Sequence, residues 1–172
     1  MIMKKIFLIL TLLGFLNVKA QIQKAELVAT GLTCSMCSNS IYKKLTAING
    51  VDSVQIDLNA NLFTIYLNKN QTLTPNDFKE AVEKAGFFIG SLVLYMPKEN
   101  VNDIYGSVLI TKNATFRILK QEKEIKQNLL KVKVINKGYV TTKEYKKMAS
   151  KKEQFLAILN SDQEEYHVKL LN

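Results

Sequence analysis

The chain is poor in the residues from which most catalytic and stapled sites are built. It has one histidine, His167, one arginine, Arg117, two cysteines and two prolines in 172 residues. Two cysteines cannot staple a small secreted scaffold, which takes several bridges spread along the chain. No catalytic carboxylate pair, Ser-His-Asp set or phosphate-cradling glycine loop is present, so hydrolase and kinase chemistry has nothing to stand on. The lack of arginine clusters and of an aromatic stacking pattern excludes nucleic acid as a partner. Nothing indicates a small-molecule substrate.

Apolar residues make up 47% of the chain, and the formal charge is +9. Residues 1–20 read as a signal peptide: Lys4 and Lys5, then the apolar run Ile6 to Val18, then Val18-Lys19-Ala20 with small residues where a signal peptidase cuts. The expectation is cleavage near Ala20 and a periplasmic or secreted protein, with an uncleaved N-terminal anchor as the alternative. Loss of Lys4, Lys5 and Lys19 would bring the charge to +6, most of it from lysines between Lys112 and Lys152. Such lysines read as a solvated face that aids solubility.

What is there instead is a single concentration of chemistry, Gly31-Leu32-Thr33-Cys34-Ser35-Met36-Cys37. Upstream, Ala25, Leu27 and Ala29 alternate as in a strand; downstream, Ile41, Leu45 and Ile48 recur at helical spacing. Two thiols therefore stand at a strand-to-helix junction, where free backbone N–H groups and the helix dipole lower a cysteine pKa. A bridge between them would close a tiny loop and constrain little of the unfolded chain. Cys34 and Cys37 are the candidate metal ligands, Cys37 the better anchored and more acidic, Cys34 the more exposed. Two sulfurs with no nearby histidine or carboxylate suit Cu(I); zinc would want two further ligands. Met36 is expected to point away, and His167 to be a plain surface or half-buried residue.

Residues 22–95 read as one unit. Val54, Ile56 and Leu58, then Phe63, Ile65 and Leu67, alternate around Asn59-Ala60-Asn61 as a hairpin. Thr74, Pro75 and Asp77 form a helix start, Phe78, Val82 and Ala85 its buried stripe, and Gly86 its stop. Phe88 to Tyr95 is a last strand. The order βαββαβ predicts an α+β fold, a ferredoxin-like sandwich with both helices on one face of a four-stranded sheet. That topology brings Gly86-Phe87 beside the cysteine loop, where Phe87 is either a lid or ordinary core. Residues 98–172 form a mixed α/β region of unknown role. Strands are expected at Tyr105–Thr111, Thr115–Leu119, Leu130–Ile135 and Tyr166–Leu171. Between them fall a charged helix or loop over Lys120–Asn128, a hairpin turn at Asn136-Lys137-Gly138, and a helix capped at Ser150.

On these residues the stretch 22–95 resembles the heavy-metal-associated family, the copper chaperones and the N-terminal metal-binding domains of metal-transporting P-type ATPases. The family pattern Gly-Met-Thr-Cys-x-x-Cys stands here as Gly31-Leu32-Thr33-Cys34-Ser35-Met36-Cys37. Leu32 replaces a methionine that packs beneath the loop, a near-isosteric exchange. The resemblance implies a non-enzymatic Cu(I) chaperone or trafficking protein that passes its ion by ligand exchange; export is the expectation from residues 1–20 alone. Its partner would be a metal-transporting membrane ATPase or another metal acceptor protein. Thr33 is similar to the copper-handling members. Gly86-Phe87 is similar to a glycine-tyrosine pair of bacterial copper chaperones but lacks the hydroxyl, which keeps a mercury-binding or less selective role open, with Hg(II) or Zn(II) in place of Cu(I). Two other readings stay open from the sequence: a thiol-disulfide oxidoreductase, and a binding module whose C-terminal half carries the function.

Overall fold

A computed structural model describes residues 22–69, 71–97, 108–110, 113–119, 128–149 and 165–171. The first half runs β1 (Lys24–Thr30), α1 (Ser35–Thr46), β2 (Val51–Asp57), β3 (Leu62–Leu67), α2 (Pro75–Lys84) and β4 (Phe88–Pro97). This is the expected βαββαβ unit, with the last strand two residues longer. Alternation decides the faces: Ala25, Leu27 and Ala29 are buried while their neighbours on β1 are half-exposed. Ile41 and Leu45 of α1, and Phe78 and Val82 of α2, bury their stripes in the same core as that face. The start of α2 is held by the Asp77 carboxylate, which accepts from the Thr74 N–H at 2.7 Å and from its hydroxyl at 2.9 Å. Its stop is Gly86 at φ +88.

The second half does not stand apart. It contributes β5 (Val108–Ile110), β6 (Thr115–Ile118), β7 (Leu129–Val134), α3 (Thr142–Ala149) and β8 (Glu165–Leu171). The eight described strands lie in one sheet, in the order β2-β3-β1-β4-β7-β8-β6-β5. The joint is β4 against β7, antiparallel from Val93↔Lys133 to Pro97↔Leu129. On the helix side Leu92, Leu94 and Met96 continue into Leu130, Val132 and Val134, so one apolar layer crosses the joint. β6 and β8 are the parallel neighbours; the other described pairs are antiparallel.

Three expectations for this half need correction or placing. The hairpin at Asn136–Gly138 does not form, although Gly138 does turn, at φ +90. β7 already has β4 on one edge and β8 on the other, so no edge is free for a returning strand. The chain instead sets Tyr139 edge-on to Tyr166, makes an isolated bridge from Val140 to Ser91, and enters α3. That helix was not expected from the sequence. It lies on the face opposite α1 and α2: Glu144 binds the Lys133 ammonium at 2.7 Å, and Lys133 points away from Val132 and Val134. The helix expected after Ser150, residues 120–127 and residues 98–107 lie outside the described residues.

His167 is not a surface or half-buried residue. It is fully buried on β8, on the face where Ile135 packs with Val140, Leu119, Tyr145 and Met148.

Candidate metal centre

β1 ends at Thr30, whose hydroxyl donates to the Phe88 carbonyl at 3.3 Å and ties the strand end to β4. Gly31 then turns the chain at φ +88, a conformation that costs a residue with a Cβ about 1–2 kcal/mol. A Cβ there would sit 3.8 Å from the Phe87 ring, ordinary contact, so Phe87 lies against the loop without crowding it. Gly31→Ala is expected to cost about 1–2 kcal/mol of stability through backbone conformation alone, read by urea unfolding. Leu32 packs half-buried on the core and anchors the loop from below.

Thr33 and Cys34 are exposed. Cys34 is the N-cap of α1, extended at φ −155 and ψ 161, with no capping hydrogen bond from its side chain. Cys37 follows at the third helical position, its N–H donating to the Cys34 carbonyl at 3.1 Å. The pairing of N-cap and third position brings Sγ of Cys34 to 2.8 Å from Sγ of Cys37, both cysteines being free. No acidic residue occupies the first turn of α1, so nothing offsets the positive end of the helix there. The Cys37 thiol titrates below the ordinary cysteine range. The first cause is the hydrogen bond from Cys34, followed by the Thr33 backbone N–H. A thiolate at the better-held position is what metal ligation requires.

Met36 points outward, 80% exposed between the two cysteines. Among the described residues no group of three or more histidines, cysteines or acids gathers anywhere. The site thus offers two soft sulfurs on a solvent-facing loop, a donor set for a thiophilic ion that tolerates low coordination.

Two neighbours of the loop were not read from the sequence. Phe88, rather than Phe87, carries the exposed ring, at 67%. Thr141, just ahead of α3, comes from the second half to lie beside Gly90 of β4. A Cβ on Gly90 would lie 2.5 Å from the Thr30 methyl and 3.8 Å from that of Thr141. No local pattern announces a contact between residues 51 positions apart.

Residues 27–88 match the heavy-metal-associated domain. The copper chaperone CopZ of Staphylococcus haemolyticus is 32% identical over 57 residues, which cover 33% of this chain and 82% of that protein. The chain belongs to the heavy-metal-associated domain family. The copper-transporting ATPase RAN1 of Arabidopsis thaliana is 36% identical over 66 residues, 38% of this chain and 6% of the ATPase, so only a small part of that transporter is represented. A solved yeast copper transporter domain, Ccc2a, is 32% identical, covering 38% of this chain and 88% of that one, with a TM-score of 0.35.

The heavy-metal-associated segment is a binding domain, not a catalytic one. Family membership therefore removes the oxidoreductase reading of the cysteine pair. It also corrects the placement expected from residues 1–20. The matched CopZ chaperones and ATPase metal-binding domains are cytoplasmic, which overturns the periplasmic or secreted assignment. Residues 1–20 themselves lie outside the described residues.

Proposed function

We propose that this protein binds one Cu(I) ion between Cys34 and Cys37 and passes it to the thiolates of an acceptor. The observation that carries the reading is the pair of free sulfurs 2.8 Å apart at an exposed loop-helix junction. Copper is favoured because the similar chains are copper chaperones and copper-transporting ATPases, and because two sulfurs leave zinc short of ligands. The metal-handling unit is residues 22–95, and the described strands that follow, β5 to β8, serve as an extension of its sheet.

Loading must spread the sulfurs. With metal–thiolate bonds of about 2.3 Å, an ion held between two sulfurs at a wide angle keeps them about 4 Å apart or more. Cys34, outside the helical hydrogen bonding, is the side chain free to swing; Cys37 stays on the first turn. Each thiol gives up its proton as it ligates. Transfer begins when an acceptor thiolate makes a third sulfur bond to the copper. The Cys34 bond then breaks first and the Cys37 bond last, and a second acceptor sulfur completes the exchange with no change in copper oxidation state. Acceptors of this kind include the metal-binding domains of a copper-transporting ATPase.

A transfer experiment tests this. Copper-loaded protein is mixed with an apo metal-binding domain from such an ATPase, the two are separated, and copper is measured in each. Redistribution within minutes supports the reading. Copper that stays put, while a strong chelator removes it freely, would sink the trafficking role.

A further inference from the structure

The histidine on β8 has no part in the metal site, yet its setting is the least ordinary in the molecule. His167 is fully buried, and neither Nδ1 nor Nε2 finds a hydrogen-bond partner among the described residues. Buried imidazoles normally engage at least one ring nitrogen, since a bare polar group removed from water costs stability. Its backbone, by contrast, is fully used. The His167 N–H donates to Oδ1 of Asn136 at 2.7 Å, and its carbonyl accepts from the Ile135 N–H at 3.0 Å. Nδ2 of Asn136 also donates to the Glu165 carbonyl, at 3.2 Å, so one amide extends the β7–β8 ladder past the end of β7.

The charges around the ring offer a proton no welcome. Arg117 of β6 stands directly opposite His167, its guanidinium bound to Glu165 of β8. Lys169 lies two residues along the same strand. Lys133 of β7 shares that face and is bound to Glu144 of α3. On α3, Tyr145 and Met148 close the apolar cluster over Ile135. Both nearby carboxylates are thus already committed to cations.

We propose that His167 is an acid-sensitive latch on the added part of the sheet, holding β6, β8 and α3 in place while neutral and releasing them when it takes a proton. Burial first, and the Arg117 charge as well, push the imidazole below its ordinary value of 6.5, against the opposing pull of Glu165. A base more acidic when folded than when unfolded binds fewer protons in the folded state. The stability it allows is complete above about pH 6.5 and falls as pH drops from there towards the folded value. The local opening equilibrium should rise by up to about tenfold per pH unit in that window.

Amide hydrogen exchange on the full chain, corrected for intrinsic rates, tests this at about pH 7.5 and pH 5.5, a range in which ordinary carboxylates stay ionised. The expected result is a rise, of up to about tenfold, in opening of β6, β8 and α3 at the lower pH, with β1, β3 and α1 unchanged. His167→Phe should abolish the difference. The same acid response in that variant, or no local response in the native chain, would overturn the proposal. If His167→Phe does not fold, the native imidazole is decisive, since the chain has no other histidine to confuse its NMR signal. Titration below 6.5 in step with the opening of β8 supports the latch; titration at or above 6.5 with β8 closed refutes it.

Discussion

Replacing either cysteine of the junction by serine is expected to weaken Cu(I) binding by more than about 100-fold, beyond the loss typical of changes outside the ligand shell. The hydroxyl is a hard, protonated donor, no group of three or more histidines, cysteines or acids forms among the described residues to replace it, and the Met36 thioether points outward. The two variants should differ in a second respect. Cys34→Ser leaves the helix-anchored, more acidic sulfur in place, with a hydroxyl that can still donate to it. Cys37→Ser leaves only the exposed N-cap sulfur. Neither change touches the core, so unfolding should be nearly unaltered. Copper retention after gel filtration in reducing buffer, compared with urea unfolding, separates the two readouts. Undiminished copper binding in both variants would remove the cysteine pair from the function.

The largest loss of stability is expected from Val132→Pro. Val132 is fully buried in β7, paired with Leu94 on one side and Leu170 on the other. A proline there removes a ladder hydrogen bond in the interior of an eight-stranded sheet, where neither edge of the strand is spare. The cost should be about 3 kcal/mol or more, with side-chain packing lost besides. Urea unfolding reads it directly. A change below about 1 kcal/mol would mean that β7 is not the strand joining the two halves.

The first half was legible because its signals are local. Alternation in Ala25, Leu27 and Ala29, the spacing of Ile41 and Leu45, and the Thr74–Asp77 helix start each fix an element within a few residues. The cysteine pair was legible because its two members sit within one helical turn. The second half was legible as pieces only. Leu130, Val132 and Val134 announce a strand, but no periodicity says that its partners are β4 and β8. The lysines between them suggested one open face, whereas Lys133 meets Glu144 beneath α3. That helix offers only a narrow apolar stripe, Tyr145 and Met148 among lysines, too little to stand out before its docking face is known. His167 misled for a related reason: a polar residue on a late strand looks exposed until that strand is placed between β6 and β7 with the ring buried.

The most direct test is a competition titration of the reduced protein with Cu(I) against a Cu(I) chelator, repeated with Zn(II) and Hg(II). The prediction is one Cu(I) per chain, held against the chelator, undisturbed by excess zinc, and lost when Cys34 and Cys37 are both serine. Failure to hold copper, retention of mercury alone, or equal copper retention by the double variant would contradict it.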